Sequence, residues 1–152
     1  MVGGEREDQD DAPRPDPNAV PSAAVTPFAL VGGADRVRQL VEKFYDLMEE
    51  REPALAAIHR RDAAGRIPAE FRERFALFLI GWLGGPQDYT ERHGHPRLRM
   101  RHGRVAVDHA MKDAWLRCMT AAMDAQGIRG PVRDFLDRRF AEVGDFLRNV
   151  DG

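Results

Sequence analysis

The chain has 152 residues, with 23 basic and 25 acidic side chains and a formal net charge of -2. This length suffices for one domain with one sizeable core. Because basic and acidic side chains are nearly equal in number, there is no electrostatic basis for binding nucleic acid or an anionic membrane surface. The single cysteine, Cys118, excludes an internal disulfide and any multi-cysteine zinc site.

Residues 1–27 differ in composition from the rest of the chain. They are rich in Asp, Glu, Pro, Gly and Ala and carry almost no large apolar side chain before Phe28. Such a segment cannot bury enough surface to offset its ordering entropy, so we predict a disordered tail over 1–27 and one domain over 28–152. Because no stretch could span a bilayer and the N-terminus lacks the apolar core of a secretory signal, we expect a cytoplasmic protein.

Apolar residues at three- and four-residue steps predict two helices in the first half of the domain. The first begins near Asp35, and the second opens at Pro68, because proline is favoured in a first helical turn. The second ends at Gly84-Gly85-Pro86, where glycine permits a left-handed cap and proline blocks continuation. The inward stripes are Val37, Leu40, Val41, Phe44, Leu47 and Met48 in the first helix, and Phe71, Phe75, Phe78, Leu79 and Trp82 in the second.

Two more helices are predicted in the second half, over Asp108–Ala125 and from Pro131 to about Asn149. The third helix ends before Gly127 and aligns Met111, Trp115, Cys118, Met119 and Ala122; the fourth turns Val132, Phe135, Leu136, Phe140, Val143, Phe146 and Leu147 inward. The alternation in Arg97–His102 is too short to establish a strand, and its Leu98 and His102 also fit an i, i+4 helical pair. We therefore predict an all-α fold.

The segment 84–107, between the second and third helices, holds few large apolar residues, three histidines and five arginines. A loop or short helix of this kind between long helices is a natural place for a ligand site. No pair of histidines has the spacing of a zinc protease, and no cluster of cysteines or carboxylates accompanies them, so we expect no metal-only site. We expect His93 and His109 to be solvated, and His95 to be structural because it precedes Pro96.

Periodicity leaves two interpretations of the phenylalanines at 71, 75 and 78. On periodicity alone they are core residues. They can also form one wall of the apolar slot that a haem needs, in which case one histidine must ligate the iron.

Several short motifs follow one another along the chain in a particular order and spacing. They are Phe78–Pro86 (FLIGWLGGP), Tyr89 and Gly94–His102 (GHPRLRMRH), with Val31–Gly33 and Phe44–Met48 upstream and Asp113–Leu116 with Cys118 and Met119 downstream. In both order and spacing these motifs resemble those of group II truncated haemoglobins. The resemblance covers about residues 28–150 and implies a truncated globin fold, a two-over-two helical sandwich around haem b.

The resemblance also implies roles for single residues. His102 matches the proximal ligand of the haem iron, and Tyr45, Trp115 and His59 match positions that stabilise the bound ligand from the distal side. The positions that contact haem are Phe71, Arg74, Phe75, Phe78, Leu98 and Arg101, with the two arginines near the propionates. One departure follows His102, where Gly103–Val107 replaces a Pro-Phe-Ile-like segment and removes bulk behind the haem.

These residues support three hypotheses about function. The first is reversible binding of dioxygen, nitric oxide or carbon monoxide. The second is enzymatic turnover at the same haem, either a peroxidase-like reaction or the conversion of nitric oxide to nitrate. Such turnover needs an external electron donor, because nothing in the sequence resembles a fused reductase. The third is a helical interaction module without haem, which the combination of His102, Tyr45 and Trp115 argues against. The sequence leaves the oligomeric state open.

Overall fold

The computed structural model describes residues 20–22, 24–59, 61–94 and 107–148. All regular structure in these ranges is helical, so the all-α prediction is confirmed. Numbered in chain order, the helices are α1 (Pro27–Val31), α2 (Ala34–Arg51), α3 (Pro53–Ala56), α4 (Ala69–Trp82), α5 (Asp88–His93), α6 (His109–Ala125) and α7 (Pro131–Leu147).

Helix α2 is central and contacts both α4 and α6. It starts after Gly33, whose φ of 86° is a backbone conformation that favours glycine. The stripe predicted from the sequence is its buried face: Val37, Leu40, Val41, Phe44, Leu47 and Met48 are all less than 5% exposed. The amphipathic pattern therefore places this helix with its apolar side against two neighbours at once.

The end of α4 is fixed by the turn at Gly84 and Gly85. Gly84 has a φ of 100°, and a Cβ on Gly85 would come within 2.7 Å of the Phe28 ring. The Phe28 N–H donates to the carbonyl oxygen of Leu83 at 2.9 Å. Glycine at both positions thus ends α4 and lets Phe28 of α1 pack closely against the turn.

Helices α6 and α7 form the second pair. The Asp108 side chain caps α6 by accepting a hydrogen bond from the Met111 N–H at 2.9 Å, and Pro131 opens α7. Met119 and Ala122 of α6 and Leu136 of α7 are fully buried. The domain therefore consists of the pair α2–α4 packed, through α2, against the pair α6–α7.

Three short helices were not predicted individually. Helices α1, α3 and α5 have five, four and six residues, which is less than two turns each. A hydrophobic period cannot be read over so few residues. Helix α5 occupies part of the segment for which the sequence predicted a loop or a short helix, and residues 95–106 of that segment lie outside the described ranges.

Along the part of the chain that the structure describes, no helix has both the length and the apolar character needed to cross a membrane.

Candidate functional site

A cavity of about 210 Å³ lies among α2, α4, α6 and α7. Its walls are largely aromatic and aliphatic, which is the composition of a small-molecule site. The lining residues are Tyr45, His59, Phe71, Arg74, Phe75, Phe78, Leu79, Trp82, Tyr89, Trp115, Phe140 and Val143.

Helix α4 contributes one wall of the cavity. Phe71, Phe75 and Phe78 are only half-buried, whereas Ala76 and Leu79 of the same helix pack into the core. The Phe75 and Phe78 rings are stacked, with centroids 6.4 Å apart. The sequence left open whether these phenylalanines are core residues or the wall of a cavity. The structure places them at the wall of a cavity.

Tyr45 is a buried polar residue that borders the cavity. Its ring meets those of Phe44 at 5.1 Å, Phe75 at 5.9 Å and His59 at 6.0 Å, each edge-to-face. Its hydroxyl has no hydrogen-bond partner among the described residues. Burial raises the pKa of this hydroxyl, against a smaller lowering by the charge of Arg72, so the group keeps its proton and remains a donor at neutral pH.

Trp115 reaches the cavity from α6. Its ring contacts Phe44 at 5.3 Å, Phe140 at 5.6 Å and Phe75 at 6.5 Å, so three helices hold it in place. Its indole N–H, like the Tyr45 hydroxyl, makes no hydrogen bond within the described ranges. Tyr45 and Trp115 thus each bring a hydrogen-bond donor to a cavity whose walls are mostly apolar.

His59 lies just after α3 at the edge of the cavity. Its Nδ1 is 3.0 Å from the carbonyl oxygen of Leu55, one turn earlier. His59, Trp115 and Val143 also line a second, smaller cavity of about 80 Å³. His59 therefore stands between two apolar spaces, with one ring nitrogen tied to the backbone.

Arg74 is an exposed cation at the rim of the main cavity, and it makes no ion pair with another described residue. His102, Leu98 and Arg101, which the sequence also places in the site, lie outside the described ranges, and so does His95. His93 and His109 are exposed, as expected, and Cys118, on the aligned stripe of the third predicted helix, is buried. In the described ranges no group of three His, Cys, Asp or Glu side chains could hold a metal ion.

Some residues of the cavity were not singled out from the sequence. Tyr89, Phe140 and Val143 line it, although the sequence gave them no role beyond a motif or an inward stripe. Arg72, beneath the Tyr45 ring, was missed because charged residues of an amphipathic helix are usually solvated. A signal was present in Glu42, Asp46 and Glu49, whose spacing of four and three residues makes an acidic stripe along α2.

Comparison with known proteins places the chain among globins. A model of the bacterial-like globin family matches residues 26–148. The chain is 40% identical over 110 residues to the group 2 truncated haemoglobin YjbI of Bacillus subtilis, a match that covers 72% of this chain and 78% of that protein. These matches confirm the resemblance found in the motifs.

Solved structures agree with the sequence matches. The fold is similar to the group II truncated haemoglobin from Bacillus anthracis, with a TM-score of 0.76 and 36% identity over 84% of this chain and 98% of that chain. It is also similar to the truncated oxygen-avid haemoglobin from Bacillus subtilis, with a TM-score of 0.73 and 36% identity over 82% of this chain and 99% of that chain.

Proposed function

The chain belongs to the bacterial-like globin family, and on that premise we propose that it holds haem b in the cavity and reversibly binds dioxygen and other diatomic gases there. One observation carries the proposal. Tyr45 and Trp115 border the same largely apolar cavity, and neither the Tyr45 hydroxyl nor the Trp115 indole N–H has a hydrogen-bond partner among the described residues. Two donors that no described residue engages, on residues that line an apolar cavity, suit a small ligand that accepts hydrogen bonds.

The described residues fit a haem. Its macrocycle is flat and apolar, and rings from α2, α4, α5, α6 and α7 line the cavity. Its carboxylate edge needs a cation at the rim, where Arg74 is exposed. We assign the iron to His102, and further contacts to Leu98 and Arg101, on the family resemblance alone, since all three lie outside the described ranges.

Haem, when bound, supplies an iron atom that takes a diatomic gas as a ligand. Tyr45 and Trp115 hold protons at Oη and Nε1 that they can donate to a ligand atom carrying negative charge. Hydrogen bonds to a charged acceptor are worth about 1.5–3 kcal/mol, which slows ligand escape by about ten- to a hundredfold. Phe71 and Phe75 have no hydrogen-bond donor and keep this part of the cavity apolar. Hydrogen bonding to the ligand is therefore assigned to Tyr45 and Trp115.

The similarity of this chain to an oxygen-avid truncated haemoglobin supports dioxygen as the ligand. The aromatic cavity and the two donor residues that line it fit a haem and its gas ligand better than a helical module without haem, which would need neither. Turnover of peroxide or nitric oxide would use the same donors together with an external electron donor. No described residue favours turnover over reversible binding.

Haem titration followed by tryptophan fluorescence tests the proposal. The chain has two tryptophans, and both Trp82 and Trp115 line the cavity. Haem should therefore quench nearly all tryptophan emission at one equivalent, and the reduced complex should bind and release dioxygen when the gas is added and removed. Phe75→Glu, which puts a charge in the cavity, should weaken haem binding, whereas Glu70→Gln on the exposed side of the same helix should not. Weak, unsaturable quenching would contradict haem binding, and immediate oxidation without a reversible gas complex would contradict the gas-binding role.

A further inference from the structure

Arg72 of α4 is the one charged residue that is buried in the described ranges, with 5% of its surface exposed. It follows Phe71, which borders the cavity, but its own side chain runs toward α2. A buried guanidinium is costly unless each of its donors is satisfied. Its surroundings therefore show what keeps it there.

All three guanidinium nitrogens of Arg72 are engaged. Nη1 donates to the carboxylates of Glu42 and Asp46 at 2.9 Å each, Nη2 donates to Glu49 at 3.0 Å, and Nε donates to the carbonyl oxygen of Ile67 at 3.0 Å. The three acids belong to α2 and the Ile67 carbonyl lies just before α4. Such a planar fork, held from several sides, fixes both the position and the orientation of the charge.

The fixed guanidinium lies against Tyr45, with its Cζ 5.5 Å from the centroid of the ring. This is within the range of a cation–π contact, which is stronger where water is excluded. Phe44, Phe75 and His59 meet the same ring edge-to-face. Tyr45 is thus enclosed by three rings and a cation, and its hydroxyl is the part left without a hydrogen bond among the described residues.

The charge of Arg72 persists in this place. Burial is the largest single effect and lowers the pKa of the guanidinium, but the hydrogen bonds to Asp46 and Glu42 and the negative charges of Glu42 and Glu49 together outweigh it and raise the pKa above its usual value. The same charge lowers the pKa of Tyr45 against the larger effect of burial. A positive charge beside a phenol makes its O–H a better hydrogen-bond donor.

We propose that Arg72 is the positioning residue for Tyr45: by holding the phenol ring in one place, it sets how long dioxygen stays in the cavity. This inference rests on the proposed function. Arg72 lies on α4 and does not itself border the cavity, yet in this proposal it controls a hydrogen-bond donor on α2.

A merely structural role for Arg72 predicts different behaviour, and Arg66 provides the matched control. Arg66 pairs with Asp46 at 2.7 Å and with Glu49 at 3.3 Å, so it shares two of the three acids. Its side chain is 56% exposed and it makes no ring contact with Tyr45. Arg66→Met therefore weakens the same acidic network without touching the phenol.

The test combines fluorine NMR with gas dissociation rates. With 3-fluorotyrosine in place of tyrosine, the two resonances of the chain, from Tyr45 and Tyr89, are assigned by Tyr89→Phe. We expect Arg72→Met to shift or broaden the Tyr45 resonance and to leave that of Tyr89 in place, and Arg66→Met to move neither. This measurement is made without haem as well as with it, so it tests the placement of Tyr45 even if the proposed function fails.

In the haem-loaded protein, Arg72→Met should raise the rate of dioxygen dissociation by about tenfold, the equivalent of one hydrogen bond to a charged acceptor. Carbon monoxide dissociation should change by less than about twofold, because that ligand carries less negative charge. In a Tyr45→Phe background Arg72→Met should have no further effect, because the donor through which it acts is gone. Arg72→Lys, which keeps the charge but loses the fork, should give an intermediate rate.

Three results would overturn the proposal: an unmoved Tyr45 resonance in Arg72→Met, an equal effect on both gases, or the same effect on dioxygen with and without the Tyr45 hydroxyl. Glu42 and Asp46 remain 58% and 45% exposed, so they can be hydrated once Arg72 is removed. If Arg72→Met nevertheless unfolds, Arg72→Lys decides by the same three readouts.

Discussion

His59 donates a hydrogen bond from Nδ1 to the carbonyl oxygen of Leu55, at 3.0 Å. A carbonyl can only accept, so the ring proton of neutral His59 is on Nδ1. The other nitrogen, Nε2, is then an acceptor, and only the imidazolium form has a second N–H to donate. This relationship limits what His59 can do for a ligand that itself accepts hydrogen bonds.

We predict that His59→Phe changes dioxygen dissociation by less than about twofold at pH 9, which is above the range in which histidines usually titrate. The reason is that the neutral ring offers the cavity no N–H. Stopped-flow dissociation from the haem-loaded variant at this pH provides the measurement. A tenfold faster release there would show that Nε2 carries the proton and that the bond to Leu55 is broken when gas is bound.

Trp115→Phe and Tyr45→Phe should each raise the dioxygen dissociation rate by about tenfold or more, the worth of a hydrogen bond to a charged acceptor. The double variant should depart from the product of the single effects, since both donors serve one acceptor. Flash photolysis with dioxygen and with carbon monoxide measures both rates in all three variants. Equal effects on the two gases would point to a steric gate, and no effect on dioxygen would remove both residues from the site.

Glu52 and Arg117 join the end of α2 to α6 through two hydrogen bonds of 2.8 and 3.0 Å. The hydrogen bond from Arg117 lowers the pKa of the Glu52 carboxyl, so the folded chain holds that proton less tightly than the unfolded chain. The resulting stability is present above the ordinary pKa of a glutamate and is lost as the pH falls through the lowered value.

Glu52→Gln should therefore lower the Tm by a few degrees at pH 7, and the difference should shrink as the pH falls below the ordinary pKa of a glutamate and through the lowered value. Circular dichroism melts across this pH range measure it. Glu142→Gln is the control, because its pair with Arg139 is exposed and lies within one helix, so it should change the Tm little at any pH. A Glu52→Gln difference that stays constant with pH would show that the effect is not the titration of this carboxyl.

A chain that begins at Thr26 should keep the Tm and the haem spectrum of the full protein. Thr26 itself is needed, because its hydroxyl caps α1 by accepting a hydrogen bond from the Ala29 N–H at 3.1 Å. Val20, before it, is 68% exposed. A large fall in Tm after truncation would mean that the preceding residues pack on the domain. Truncation to Phe28, which removes the cap, should lower the Tm.

The four long helices could be predicted because each has both a periodic apolar face and a local start signal. The predicted starts at Asp35, Pro68, Asp108 and Pro131 lie within one residue of the observed helix or at its cap. The short helices α1, α3 and α5 depend on packing and caps more than on a periodic face, so the sequence did not define them.

The residues of the site were less predictable from the sequence than the long helices. Periodicity put Phe71, Phe75 and Phe78 on one side of a helix but could not distinguish a core from a cavity wall, because both need apolar side chains. Tyr45 and Trp115 came from the family motifs, and the structure brings both to the cavity. Arg72 was missed because its burial depends on acids 23 to 30 residues earlier in the chain, and the acidic stripe of α2 does not by itself say which basic residue it binds.

Optical spectroscopy of His102→Gly tests whether this chain holds a haem through His102. The unmodified protein, purified and reconstituted with haem, should show a strong Soret band and the ferrous spectrum of a single histidine ligand. His102→Gly should lose that spectrum and regain it when imidazole is added, because the free ring can occupy the space of the missing side chain. A variant that keeps the histidine-ligated ferrous spectrum without imidazole would contradict the account, since another histidine would then hold the iron.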